Sequence, residues 1–455
     1  MPLQHKFKAA ITILFVALLI CLNAIEEKPR FPKAYPAFSG SVGDTGVYPL
    51  SAKELLWEKT YGGPGDDRAF SIAPADNNGF LIVGSSRSFN MNDTAAWAVR
   101  IDSSGNMVWN KTYLEDHGSE FRNVQKTTDG FLLVGNTFLS SGNEDAWILK
   151  MDDQGNALWN KTIGGDRFNK VFSAATAPDG FVLAGLTNSS KSGNSCAWLL
   201  KTDTEGNLLW NKTYEEMQDS AFRTILVTTT GDYVIAGYGD STGNGNYDSL
   251  LTKTDYNGTV IWNETFGGLE SDKAYALVGA TNGYIIVGET HSNQEADADA
   301  FVTKTDLEGR LVWNETYGGA DFDVANAITP TGNGEYLVVG FTFSYGNGQR
   351  DFWFFEIDDS GNLVWSRTCG REGFEEAYAA VKIGDDEFVI GGWTNSSGKG
   401  SYDFYVIRTR IVTSGTGVDL DIIAYMILAL SGTTAILLYS FLRARAIRNK
   451  GKAGS

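Results

Sequence analysis

Cysteine is nearly absent from the 455 residues: three occur, at Cys21, Cys196 and Cys369. Cys21 lies in an N-terminal apolar run and the other two fall in distant repeats, so no disulfide framework can hold the fold and the core must do so. Histidine is as scarce, and only His117 and His291 lie away from the chain ends. No Cys/His metal spacing and no Ser/His/Asp arrangement can be assembled from them. Proline numbers nine, four of them between residues 26 and 50, so the rest of the chain is free to form strands. Positive charge is also in deficit. The formal charge is −18, and setting aside the basic residues of the two termini leaves about −25 between them. A surface of that sign repels phosphate backbones and excludes nucleic acid as a partner, while cations or basic partners suit it.

Glycine is plentiful at 52 residues, and 26 Phe, 19 Tyr and 12 Trp accompany it, a composition suited to strands joined by tight turns. Seven tryptophans recur at a near-constant period: Trp57, Trp109, Trp159, Trp210, Trp262, Trp313 and Trp365, at intervals of 52, 50, 51, 52, 51 and 52. Each unit also carries an aromatic, three mostly aliphatic positions and a glycine, as at Phe80–Gly84, Phe131–Gly135 and Tyr284–Gly288. An apolar run of this length is what a strand buried on both faces requires. A unit reads as four strands: a small-and-aromatic one (Ala274, Tyr275, Ala276), the buried run, an alternating strand (Trp147–Lys150) and the Trp strand. The turn before the Trp strand is Asp-x-x-Gly-Asn or a close variant, as at Asp102–Asn106, and its residues are turn formers. The array opens with a lone Trp strand, Leu55–Tyr61, and ends with a unit lacking one. The pattern predicts an all-β fold: a seven-bladed β-propeller of four-stranded blades over residues 52–410, closed by the N-terminal Trp strand.

Outside the array, Met1–Lys8 is basic and precedes an apolar run, which predicts a signal peptide or signal anchor over 1–24. Residues 25–51 and 411–421 read as linkers. Ile422–Leu442 is uncharged and long enough to span a bilayer as a transmembrane helix, and the basic residues after it place the tail, 443–455, in the cytoplasm and the repeats outside. The expected location is therefore the cell membrane, crossed once.

The turn and Trp strand, in forms such as Asp203-Thr-Glu-Gly-Asn-Leu-Leu-Trp210, resemble the tryptophan-docking repeat of quinoprotein-like (PQQ-type) propellers across all seven units, and are similar to the non-enzymatic prokaryotic and archaeal surface proteins of that group. The enzymes of the family use eight blades, pyrroloquinoline quinone with calcium, and adjacent cysteines. This chain has seven units and no adjacent cysteine pair, so the resemblance implies the fold and not the cofactor. Kelch propellers share the period but double the glycine after the buried strand, which only Gly391-Gly392 does here.

Function is expected on the face that carries the long Ser-, Asn- and Gly-rich loops after each buried run. One ring of carboxylates (Asp67, Asp219, Asp272, Asp323, Glu375) precedes the innermost strands, and a second (Asp145, Asp248, Asp299, Asp351, Asp403) opens the third strands. The first ring can gather a basic ligand or calcium at the channel mouth, calcium being the single cofactor the chain suggests. It can equally bond loop backbone. Glu295, Asp297 and Arg350 break the repeat and are candidates for specificity. Sequons stand at Asn92, Asn110, Asn160, Asn188, Asn211, Asn257, Asn263, Asn314 and Asn395. Five follow the repeat Trp directly, so strand alternation turns them to the rim. These observations predict a non-catalytic propeller that binds an extracellular protein or glycan through its long-loop face. The alternatives are an envelope assembly scaffold and a propeller enzyme, either a quinone-dependent dehydrogenase or a carbohydrate hydrolase or lyase.

Overall fold

The computed structural model describes residues 47–411, apart from 52–53, 90–92, 116, 166, 190–193, 217, 241–245, 293–296 and 385. The chain divides into two units, 1–410 and 411–455. Segments 1–24 and 422–442, the basic tail, Asn92 and Glu295 lie outside the described residues. Among those described, no helix is long and apolar enough to cross a membrane.

Seven sheets make up the first unit. Blade one consists of Asp67–Ala75, Gly79–Ser86, Ala95–Ile101 and Met107–Tyr113, paired antiparallel in chain order. Blades two to six repeat this plan. The innermost strands of all seven blades touch their neighbours on either side, and that of blade seven, Glu375–Lys382, meets that of blade one, so the array is a closed ring. The second strand of each blade is sandwiched between neighbours: Leu81, Ile82 and Val83 are inaccessible to solvent. Each such side chain contributes about 1.5–3 kcal/mol by leaving water, and the core is this stack of apolar strands.

Closure follows the expected register. Leu55–Tyr61 pairs with Asp403–Arg410 as the outermost strand of blade seven. Glu54 fastens the join: its carboxylate accepts from the Ser51 N–H at 3.0 Å and the Arg367 guanidinium at 3.1 Å, and its carbonyl accepts from the Arg410 N–H at 2.8 Å. One element was not foreseen. Val47–Pro49, inside the segment expected to be a linker, runs parallel to Leu363–Cys369 and gives blade six a fifth strand. Proline at the end of this outer strand costs no ladder bond.

The repeat tryptophans join blade to blade. Trp57 Nε1 donates to the Ser103 carbonyl at 3.3 Å and Trp109 Nε1 to that of Asp153 at 3.3 Å, each in the turn of the next blade. The indole lies on the turn glycine. Gly155 has φ +74°, and a Cβ there would sit 2.8 Å from Trp109 Cη2. Asp102 holds its turn by accepting from the N–H groups of Ser104 and Asn106, both at 2.8 Å, the turn-forming part its sequence position predicts.

Candidate functional site

The long loops and the starts of the innermost strands share one face, so the first carboxylate ring lies where the channel opens. Its members turn away from the opening. Asp67 Oδ2 accepts from the Gly63 N–H at 2.8 Å and the Ser88 hydroxyl at 2.6 Å. Asp272 takes the same bonds from Gly268 at 2.7 Å and Ser292 at 2.8 Å, and Asp323 from Gly319 and Ser344, both at 2.7 Å. Glu375 accepts from the Arg371 N–H at 3.0 Å and the Thr394 hydroxyl at 2.6 Å. All four are buried. Asp67, Asp272 and Asp323 tie the Gly-Gly connection to the long loop, Glu375 ties the Gly370-Arg371 connection to the end of the second strand, and they are not laid out as ligands. No group of three His, Cys, Asp or Glu that could hold a metal occurs among the described residues.

The second ring presses against the first. A Cβ on Gly62 would meet both Asp403 Oδ1 and Asp67 Oδ2, and one on Gly370 both Asp351 and Glu375. Burial, with Asp248 adding like charge, pushes the Asp272 carboxyl up to about 6. Burial with the nearby Glu375 does the same to Asp351. In blade three the pair is relieved: Asn169 stands in place of the inner acid and donates to Asp145 at 3.2 Å.

Asp219 does not belong to the ring. The register shifts between Gln218 and Ala221, which puts Ser220 in the ring position, where its hydroxyl accepts from the Ala197 N–H at 2.9 Å. Asp219 is left exposed at φ 44°. Asp297 is exposed in the loop before Asp299–Asp306. The Arg350 guanidinium lies over Phe341 at 4.4 Å and Phe343 at 4.8 Å and pairs with Glu376 in the channel wall.

The channel lining itself comes from a position the sequence reading passed over. All seven innermost strands bulge at one register, between Ala69 and Ser71 in blade one and at the equivalent step in every other blade. A bulge frees one residue from the ladder and re-aims its side chain. The freed residues are Phe70, Arg122, Phe172, Arg223, Tyr275, Asn326 and Tyr378. All seven line a cavity of about 220 Å³ on the channel axis, together with the small or polar residues that follow them.

Toward the long-loop face the channel widens into a chamber of about 420 Å³, bounded by Arg223, Lys273, Glu289, Phe341, Glu376 and Tyr378 among others. Around the narrower cavity below it, Arg122 and Arg223 alternate with Phe70, Phe172 and Tyr275. Arg122 lies over Phe70 at 4.2 Å, and Arg223 over Phe172 at 4.1 Å and Tyr275 at 5.6 Å. Phe70 meets Tyr378 edge-on at 5.5 Å. The Tyr378 hydroxyl donates to Glu376 at 2.7 Å. Burial raises the Tyr378 phenol, and the positive charges of Arg122, Arg223, Arg350 and Arg68 act against that rise. A basic, aromatic channel thus runs through a strongly acidic protein. One signal for it lay in the sequence: flanked by small or core residues, this position changes from Phe to Arg to Tyr to Asn between repeats.

The sequons fall mainly on the rim. Asn110, Asn160, Asn211 and Asn263 are exposed on outermost strands and Asn314 is half-buried. Asn257 and Asn395 are exposed in turns and loops, and Asn188 is partly covered with its Oδ1 buried.

No family model matches the chain. Among curated proteins, the regulatory protein FlaEY of Caulobacter vibrioides is 26% identical over 194 residues, 37% of this chain and 20% of that protein, so the chain spans about a fifth of that relative's length. Among solved structures, the Pan2 WD40 domain of Neurospora crassa is similar with a TM-score of 0.47 and 11% identity, over 80% of this chain and 98% of that one. Sqt1 of Chaetomium thermophilum has a TM-score of 0.45 and 10% identity, over 79% and 99%.

Proposed function

We propose that this chain is a non-catalytic recognition propeller, tethered outside the cell by residues 422–442, that receives its ligand in the central channel from the long-loop face. One observation carries the reading: seven identical bulges aim seven side chains into one cavity, and those side chains differ from blade to blade. A part that only held the ring together would repeat, as the turn aspartates Asp102, Asp152, Asp203, Asp255, Asp306 and Asp358 do. A lining that varies on a repeated frame is what specific recognition requires. The acids facing the chamber support binding over catalysis. Glu376 and Glu289 are each paired with a cation, Arg350 and Lys273, which leaves neither free for proton transfer.

The test is a glycan and protein array probed with the full-length chain and with Ala379→Trp, which sets an indole into the lower cavity. The reading expects a discrete set of ligands whose signal the indole abolishes. Signal that survives the block would move recognition off the channel, and release of sugars from arrayed glycans would make the chain an enzyme.

A further inference from the structure

Four of the six cations around the channel are neutralised inside the protein. Arg122 pairs with Glu120 at 2.6 Å, Lys170 with Glu144 at 2.7 Å, Lys273 with Glu289 at 3.1 Å, and Arg350 with Glu376. Two are not. Arg68 lies over Tyr402 at 4.4 Å and Trp393 at 5.2 Å, and Arg223 is held between Phe172 and Tyr275. Neither has a carboxylate partner among the described residues. The Arg223 Nε is buried without an acceptor, and its side chain bounds both the chamber and the cavity beneath it. An unpaired guanidinium in a closed wall is costly, and a planar fork of donors is suited to a carboxylate taken two-pronged.

Its surroundings narrow the ligand further. Phe172, Tyr275 and Tyr378 offer flat apolar faces. Between them Ser71, Ser173 and Thr224 bring hydroxyls to the same cavity. Aromatic platforms interleaved with hydroxyl groups fit a ring that is apolar on its faces and hydroxylated at its edge. A chamber of about 420 Å³ lies in the range of small-ligand sites.

Resting on the recognition reading above, we infer that the channel binds a sugar carrying a carboxylate, its acid group on Arg223 and its ring against Tyr275 and Tyr378. The negative exterior then acts as a filter: it repels large polyanions at a distance, while the local positive charge inside retains a single acid group that arrives by the channel mouth.

Calorimetry on the full-length chain with glucuronate, galacturonate, glucose, glucose 6-phosphate and inorganic phosphate tests this. Glucuronate or galacturonate should bind at least tenfold more tightly than glucose. Arg223→Lys, which keeps the charge and loses the fork, should weaken that binding at least tenfold at an unchanged melting midpoint. Should the variant not fold, the wild-type chain still decides: glucuronate, and not glucose, should protect Arg223 from phenylglyoxal as read by mass spectrometry. Equal binding of glucose, phosphate or glucose 6-phosphate as tight as the sugar acids, unchanged affinity in Arg223→Lys, or no protection would each overturn the assignment. Array ligands that the Ala379→Trp indole displaces but that carry no acid would overturn only the ligand class and leave channel recognition standing.

Discussion

Glu356 stands directly opposite Trp365 on the neighbouring strand, and its Oε2 accepts the indole N–H at 2.6 Å. In the other six blades the residue opposite the Trp is a cation: Arg100, Lys150, Lys201, Lys253, Lys304 or Arg408. The exception has a cause. Trp365 faces blade seven, the closing blade, whose two outer strands come from opposite ends of the chain and so have no turn between them to offer a carbonyl. The buried indole takes a side-chain acceptor instead.

Restoring the repeat residue should therefore harm the protein. Glu356→Lys leaves the Trp365 N–H buried without an acceptor, and the loss is expected at about 1–3 kcal/mol. Urea unfolding followed by tryptophan fluorescence reads it; a raised midpoint would show that the glutamate is dispensable.

The glycine turns separate two costs. At Gly142, φ is +82° and a Cβ would meet nothing within 4 Å, so Gly142→Ala should cost only the left-handed backbone term, about 1–2 kcal/mol. At Gly155 the φ is similar but the methyl would strike Trp109. Gly155→Ala should be clearly the more damaging of the two in the same unfolding assay, and equal losses would mean that the indole yields without penalty.

Mild acid should stabilise the ring. Asp272 and Asp351, with folded pKa values of about 6 against an ordinary 3.8, bind more protons folded than unfolded between those limits. Their contribution to stability therefore grows as pH falls from 7 toward 4. Glu54 acts in the opposite sense: burial opposes its ionisation, but bonds from Ser51 and Arg367 outweigh that and hold it below 4.5, so its contribution fades only in stronger acid. The thermal midpoint is expected to rise between pH 7.5 and 5.5. Asp272→Asn, which copies the arrangement Asn169 has in blade three, should flatten that rise; a midpoint that falls monotonically over this range would refute the buried-pair argument.

Expression in a glycosylating host should modify the rim and spare the partly covered site. Asn110, Asn160 and Asn211 are expected to carry glycans, screening the exposed Val108, Leu158 and Leu209 that precede their tryptophans. Asn188, with its Oδ1 buried, should stay bare. Intact-peptide mass spectrometry that finds the first three unmodified would reject this use of the rim.

The ring was readable in the chain because its causes are periodic: Trp109, Gly155 and the Phe131–Gly135 run return every fifty or so residues, and each return has one geometric reason. The number of blades and the closing strand follow from that repetition. The channel lining was not legible, for a complementary reason. Whether Arg122 or Arg223 faces the core or the axis depends on a bulge that adds one residue, and strand alternation alone cannot locate it. Asp219 misled for the same reason, since a register shift put Ser220 in its place. The carboxylates at Asp67 and Asp272 were found in the right positions, yet sequence spacing could not show that neighbouring N–H groups turn them inward.

The bond between Glu58 and Tyr405 spans 347 residues at 2.7 Å. A ribosome adding about 5–20 residues per second takes roughly 20–70 s to deliver the second partner after the first. Throughout that interval Leu55–Tyr61 has no sheet to join, and the growing arc keeps an open apolar edge. Nascent chains halted before residue 403 are therefore expected to be cut readily by protease within Leu55–Tyr61, and resistance should appear abruptly once Asp403–Arg410 has emerged. Birth of the native state is a single late event, set by the last strand made and the first one kept waiting.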